Sequence, residues 1–118
     1  MGHYEMVFYE KENGRIPVRD FLDSLPAHQR AKCLRDLEVL SEKGAELRPP
    51  ASKHLRNGIF ELRIPASGEQ ARVFYFFYQD GLIVLTNGFL KKTQKTPSRE
   101  LNRAIRYKND WERRRNHA

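Results

Sequence analysis

Arg72-Val73-Phe74-Tyr75-Phe76-Phe77-Tyr78-Gln79-Asp80-Gly81-Leu82-Ile83-Val84-Leu85 reads as two β-strands joined by a tight turn. The first run is aromatic and the second aliphatic, and both residue types fit a pleated, half-buried surface. Asp80-Gly81 between them is a hairpin signal, because the favoured two-residue turn needs positive φ, which Asp and Gly tolerate. With just those two residues in the turn, Tyr78 lies opposite Ile83, Phe76 opposite Leu85, Phe74 opposite Asn87 and Arg72 opposite Phe89. The second strand runs on to Leu90.

Upstream, Ile59-Phe60-Glu61-Leu62-Arg63-Ile64 alternates as a strand should, and Pro65 to Gln70 forms a loop. A loop closing symmetrically around Ser67 and Gly68 sets Arg63 directly opposite Arg72. One sheet face then carries Phe60, Leu62, Ile64, Val73, Tyr75, Phe77, Val84 and Leu90, and it reads as core. The other carries Glu61, Arg63, Arg72, Phe74, Phe76, Asn87 and Phe89.

Further out, Tyr4 to Tyr9 reads as a first strand. Gly14 and Pro17 lead into a short helix to Leu22, with Pro at its first position. A longer helix runs from Pro26 to Lys43, with Ala27, Ala31, Leu34, Leu37 and Leu40 at helical spacing and Gly44 as its stop. Leu47 to Ser52, with Pro49-Pro50, reads as a loop. A last helix opens at Thr96-Pro97 and buries Leu101, Ile105 and Trp111. The order β-α-α-β-β-β-α predicts one α+β domain over residues 1–118: an antiparallel sheet of about four strands with helices packed on one side.

The 118 residues are 39% hydrophobic and 31% charged, which suits a folded globular chain. No apolar run approaches a membrane span, and no secretory pattern opens the chain, so a cytoplasmic location without membrane attachment is expected. The single cysteine, Cys33, excludes an internal disulfide and falls at a core position of the long helix. The formal charge of +7 is not evenly spread. From Gly88 onward there are ten Lys/Arg against three Asp/Glu, whereas residues 1–87 hold twelve of each. Such asymmetry marks a docking surface for a polyanion or an acidic partner.

Two arginines side by side on one sheet face repel unless an anion lies between them. Glu61 supplies one, and the cluster then reads as a surface ion-pair network worth at most about 1 kcal/mol. The functional reading is a phosphate clamp, because guanidinium matches phosphate oxygens in bidentate geometry. Phe74, Phe76 and Phe89 would offer nearby stacking surfaces to bases. Lys91 and Lys92 extend the positive rim, with Lys95 and Arg99 beyond them. Lys53-His54 sits just before the Arg63 strand and could present an acid or base. His3, His28 and His117 have no metal-ligand spacing, and no phosphate loop, serine elbow or Cys-His pair is present. No cofactor is expected.

The stretches "LRNGIFELRI" (55–64), "ARVFYFFYQDGLIVLTNGFLKKTQKTP" (71–97) and "SRELNRAIRY" (98–107) resemble the RelE/ParE superfamily of toxins from toxin–antitoxin pairs. The closer likeness is to its phage-derived HigB-like branch. The resemblance implies a RelE-like fold and an mRNA endoribonuclease that acts on ribosomes and inhibits translation. A protein antitoxin, in this branch often of helix-turn-helix type, would neutralise it. By position, Arg63 and Arg72 match the arginines of the active face, and Lys91 and Lys92 match the lysine pair after the last strand. Lys53 and His54 fall in a segment that varies among these toxins. Tyr107 and His117 lie near the C-terminus, where several members place a catalytic residue, without aligning to it.

A metal-free mechanism fits these residues: the ribose 2′-OH attacks the adjacent phosphorus, leaving a 2′,3′-cyclic phosphate and a 5′-OH. Two other readings stay open. One is a ParE-like poison of DNA gyrase; the other is a basic nucleic-acid-binding module without chemistry.

Overall fold

The computed structural model describes residues 3–65, 69–79, 81–92 and 95–116. Strand β1 is Glu5–Phe8, helix α1 Pro17–Asp23 and helix α2 Ala27–Lys43. Strands β2 (Ser52–His54), β3 (Phe60–Ile64), β4 (Gln70–Tyr78) and β5 (Leu82–Lys91) follow, and helix α3 is Ser98–Asn116. Together the strands form one mixed five-stranded sheet in the order β1-β5-β4-β3-β2. The fold is α+β, with α1 and α2 packed on one side of the sheet.

Two features of the sheet differ from the sequence expectation. It is not wholly antiparallel: β1 runs parallel to β5, pairing Glu5 with Leu82 through Phe8 with Leu85. Alternation in Tyr4–Tyr9 reports a strand but not its direction, because side-chain period is the same in both senses. The fifth strand is β2, which lies partly in the expected loop. Its three residues pair Ser52 with Leu62, Lys53 with Glu61 and His54 with Phe60. Pro49-Pro50 ends the helical region but leaves the chain after it free to pair as a short edge strand.

The central hairpin departs from its expected register and then returns to it. Next to the turn Tyr78 pairs with Leu82 and Phe76 with Val84, so residues 79–81 lie between the strands. Gln79 takes φ 52° and Gly81 φ 84°, which starts the turn one residue early; Asp80 lies outside the described residues. A β-bulge between Phe74 and Tyr75 then admits Thr86 as an extra residue on β5. Thr86 is fully buried and its hydroxyl donates to the Phe74 carbonyl at 3.3 Å. Beyond it Phe74 faces Asn87 and Arg72 faces Phe89, as expected. Val84, however, moves to the Phe74–Phe76 side of the sheet.

The α1–α2 core joins Val18, Leu22, Cys33, Leu37 and Leu40 to Leu62, Ile64, Val73, Tyr75, Ile83 and Leu85. Cys33 is 1% exposed and fills this core. Leu34, placed on the buried side by its spacing, is instead 49% exposed. Gly88 lets α1 approach β5 closely, because a Cβ there would stand 2.5 Å from the Phe21 ring. A second cluster joins Phe74, Phe76, Val84 and Phe89 to Ala104 and Trp111 of α3, with Leu101 and Ile105 packed at its margin.

The far end of α3 is tied to β1 by polar contacts. The Tyr9 hydroxyl donates to Asp110 Oδ2 at 2.6 Å, its ring stacks on Tyr107 at 4.6 Å, and Arg114 bonds both Asp110 and the Glu10 carbonyl. Burial, reinforced by Asp110, pushes the Tyr9 phenol up to about 12. A raised phenol favours the neutral folded form. Its stabilisation is therefore complete below the ordinary value of 10.0 and is lost as pH climbs toward about 12. We expect Tyr9→Phe to cost about 1.5–3 kcal/mol in urea unfolding at neutral pH, the range for a hydrogen bond to a charged group. The difference from wild type should shrink between pH 10 and 12; a constant difference would mean that folding leaves the titration of the phenol unshifted.

Candidate anion-binding site

Directly opposed residues share a sheet face, so the ladder arranges this face in rows. Lys53, Glu61 and Phe74 form one row across β2, β3 and β4. Arg63, Arg72 and Phe89 form the next, and Gln70 with Lys91 the last. Arg63 is paired with Arg72, the register expected from a symmetric loop.

The charge between the arginines is Glu61, which is fully buried. Its carboxylate accepts from Arg63 Nε at 3.3 Å and from the Thr96 hydroxyl at 2.8 Å. Arg72 Nε stands 3.7 Å from the other carboxylate oxygen, an ion contact too long for a hydrogen bond. The two arginines are therefore not equivalent. Arg72 retains only 7% of its side-chain exposure, bonds the Ala71 carbonyl at 3.1 Å and Gln70 Oε1 at 2.6 Å, and leaves its Nε without a hydrogen-bond partner. Burial pushes its guanidinium below the usual value; Glu61 opposes that and Arg63 adds to it. Arg63 is 30% exposed and reaches solvent.

Arg63 opens onto a cavity of about 510 Å³ between β2, the end of β5 and the start of α3. Among the described residues five cations line it (Lys53, Arg56, Arg63, Lys91 and Lys95), with Thr96, Ser98, Leu55 and Leu101, and no carboxylate does. Ser98 is the first residue of α3, so a helix N-terminus adds its partial positive charge. The Lys91 ammonium is held below the ordinary lysine value, chiefly by desolvation and then by Arg72, Arg63 and Lys53, with Glu61 opposing. Asn87 steadies the helix start by donating to the Glu100 carbonyl and carboxylate at 3.3 and 3.2 Å. A site of this kind can accept anions: its cations converge, while the nearby carboxylates are already engaged, Glu61 by Arg63 and Thr96 and Glu100 by Asn87 and Arg103.

The expected site residues divide accordingly. Lys53, Arg63, Lys91 and Lys95 converge on the cavity, and Arg72 backs it through Glu61. Lys92 does not join them; it is 77% exposed and lies 3.9 Å from Glu69. His54 pairs with Phe60 and packs against that ring at 4.8 Å, so strand alternation turns it away from Lys53 and Glu61. Phe74 and Phe89 are no platforms for bases. They pack on each other at 5.3 Å and lie buried in the cluster with α3. Arg99 is exposed on the first turn of α3, outside the cavity lining. Tyr107 stacks on Tyr9, and His117 lies outside the described residues.

Arg56, Thr96 and Ser98 belong to the cavity without having been singled out from the sequence. The signal for Arg56 was present in the following Asn57-Gly58. Both residues take positive φ, 59° and 76°, and turn the chain so that Arg56 reaches Asn102 at 2.7 Å. Among the described residues no three His, Cys, Asp or Glu side chains are grouped to hold a metal ion. Nor, among them, is any helix long and apolar enough to cross a membrane.

A compact α+β domain presenting a cationic cavity at one end of its sheet is the class these observations define. The chain belongs to the family described as "Phage derived protein Gp49-like (DUF891)", whose model matches residues 20–109. That span runs from α1 into α3 and contains every residue lining the cavity. No curated protein matches the chain.

Proposed function

We propose that this protein is an endoribonuclease, the toxin of a toxin–antitoxin pair, which cuts mRNA on the ribosome and stops translation. The observation that carries this reading is the cavity around Arg63, lined among the described residues by five cations and no carboxylate, and sized for a nucleotide phosphate with its ribose. Its partners are then mRNA, the ribosome and a neutralising antitoxin of helix-turn-helix type.

In this reading Lys91, made less basic by its surroundings, is the general base. It takes the proton of the ribose 2′-OH, whose oxygen forms a bond to phosphorus as the bond from phosphorus to the 5′ oxygen breaks. Lys53, protonated across the cavity, supplies the proton to the departing 5′ oxygen. Arg63 donates to the phosphoryl oxygens as negative charge builds on them. The products are a 2′,3′-cyclic phosphate and a 5′-OH. A requirement for the 2′-OH confines the activity to RNA.

Primer extension on a defined mRNA, translated in a purified system with the protein present, tests this directly. New 5′ ends that need the ribosome, and that a 2′-deoxy substitution at the cleaved position removes, are the expected outcome. Intact mRNA with gyrase inhibition, or with salt-sensitive nucleic-acid binding alone, would replace the nuclease reading.

Lys91 also gives the reaction a pH signature. The base is active when neutral, so the single-turnover rate should rise with pH and level off below the ordinary lysine value. Lys91→Arg keeps the charge but cannot deprotonate. It should bind RNA near wild-type affinity while cleaving about 10²–10⁴-fold more slowly. A variant that keeps the wild-type rate and pH profile would move the base elsewhere.

A further inference from the structure

Arg63 lines a second cavity, also about 510 Å³, on the side of the sheet end toward α2. Pro50 and Pro65 contribute apolar wall, and Lys32, Asp36, Gln70 and Arg72 contribute polar groups. The mixture differs from that of the cationic cavity, since a carboxylate and an amide join the cations here beside an apolar surface. Arg72 backs this cavity with a side chain more than nine-tenths buried, its guanidinium held by Glu61, the Ala71 carbonyl and Gln70 Oε1.

We propose that this second cavity is a nucleobase pocket selective for guanine, holding the base of the nucleotide whose phosphate lies at Arg63. The proposal rests on the nuclease reading above. Its chemistry comes from Lys32 and Asp36, one helical turn apart on α2, where the ammonium lies 2.9 and 3.1 Å from the two carboxylate oxygens. On an open helix surface such a pair is worth only a few tenths of a kcal/mol. Here it stands at the rim of a cavity, and an ionised carboxylate has about four acceptor positions, of which Lys32 occupies two.

Guanine presents two adjacent donors, N1–H and the N2 amino group, next to the O6 acceptor. A carboxylate beside an ammonium is the complement of that edge: Asp36 accepts from N1 and N2, and Lys32 donates to O6. Adenine would set its N1 lone pair against the carboxylate. Cytosine offers one donor, its N4 amino group, beside two acceptors, and uracil one donor, N3–H, between two acceptors, so neither gives the carboxylate two adjacent donors. Gln70, whose Oε1 already accepts from Arg72, keeps its amide N–H groups for the purine's far edge. Single-stranded RNA suits the arrangement, because its unpaired bases expose this edge to protein.

The test is fluorescence anisotropy with labelled seven-nucleotide RNAs that differ only in a central G, A, C or U, using wild type, Asp36→Asn and Arg63→Ala. Wild type should favour the G probe about ten-fold or more over the A probe, the discrimination expected of a bidentate contact to a base edge. Asp36→Asn replaces an acceptor by a donor and should reduce that ratio to about two or less while melting as wild type does. Gln70→Ala, which leaves the ion pair in place, should lower the ratio only partly. Equal affinity for all four probes in wild type, with binding still lost in Arg63→Ala, would overturn the guanine pocket and leave the nuclease reading intact. An unchanged G preference in Asp36→Asn would also overturn it. No binding of any probe by wild type would count against both.

Discussion

Arg63→Ala should abolish ribosome-dependent cleavage, slowing it by about 10²–10³-fold or more, while costing no more than about 1 kcal/mol of stability. The contrast follows from where Arg63 stands. It is 30% exposed, and its guanidinium bonds Glu61 at 3.3 Å, so removing it breaks a partly solvated interaction. What it loses in function is larger. Arg63 lines both cavities and alone of the two arginines reaches the cationic one. Preorganised donors of this kind bind the anionic phosphate and act most strongly on the charge that builds in the transition state, and losing one usually costs two to three orders of magnitude. Arg63→Lys restores charge without the planar fork and should recover only part of the rate. Single-turnover primer extension, read beside a urea melt, separates the two effects. A stable Arg63→Ala protein that cleaves within about ten-fold of wild type would remove the cavity from the mechanism.

Much of this placement was legible in the chain, and what was hidden has physical causes. The opposition of Arg63 and Arg72 could be inferred because a β-ladder with one buried face fixes register. The inference survived an error at the turn only because the bulge at Thr86 adds back the residue that the turn took away. Bulges and three-residue turns leave little trace in composition, so such compensation is invisible to alternation alone. Phe74 and Phe89 were misplaced for a different reason. Strand periodicity shows which residues share a face, but whether a distant helix covers that face depends on long-range packing. Here Ala104 and Trp111 of α3 join those rings in one buried cluster. His54 illustrates the opposite limit. One residue separates it from Lys53, and in a strand one residue is the whole difference between facing the site and facing away.

The largest stability effect should come from Glu61. Glu61→Leu removes a fully buried carboxylate and leaves Arg72, 7% exposed, as an unpaired charge beneath the site. Breaking a buried pair from one side typically costs about 3–5 kcal/mol, a large share of the roughly 5–15 kcal/mol that holds a domain together. Thr96 also loses its acceptor, loosening the approach to α3. Glu61→Leu combined with Arg72→Met should recover most of that loss, because apolar replacement of a whole buried pair is often neutral or stabilising. If the pair were there for stability, the double variant would be an ordinary working protein. Its role in the site predicts otherwise. Without Glu61 the bond that holds Arg63 from behind is gone, and Lys91 loses an opposing carboxylate whose influence exceeds that of the Arg72 lost with it. The double variant should therefore fold nearly as well as wild type and cleave RNA poorly, with its pH profile shifted to lower pH, because the lost Glu61 held Lys91 up more than the lost Arg72 held it down. A double variant that is both stable and fully active would make the buried ion pair a feature of the core alone. Stability recovered without activity would mean that the pair is retained, at a net cost in desolvation, to position the cations above it.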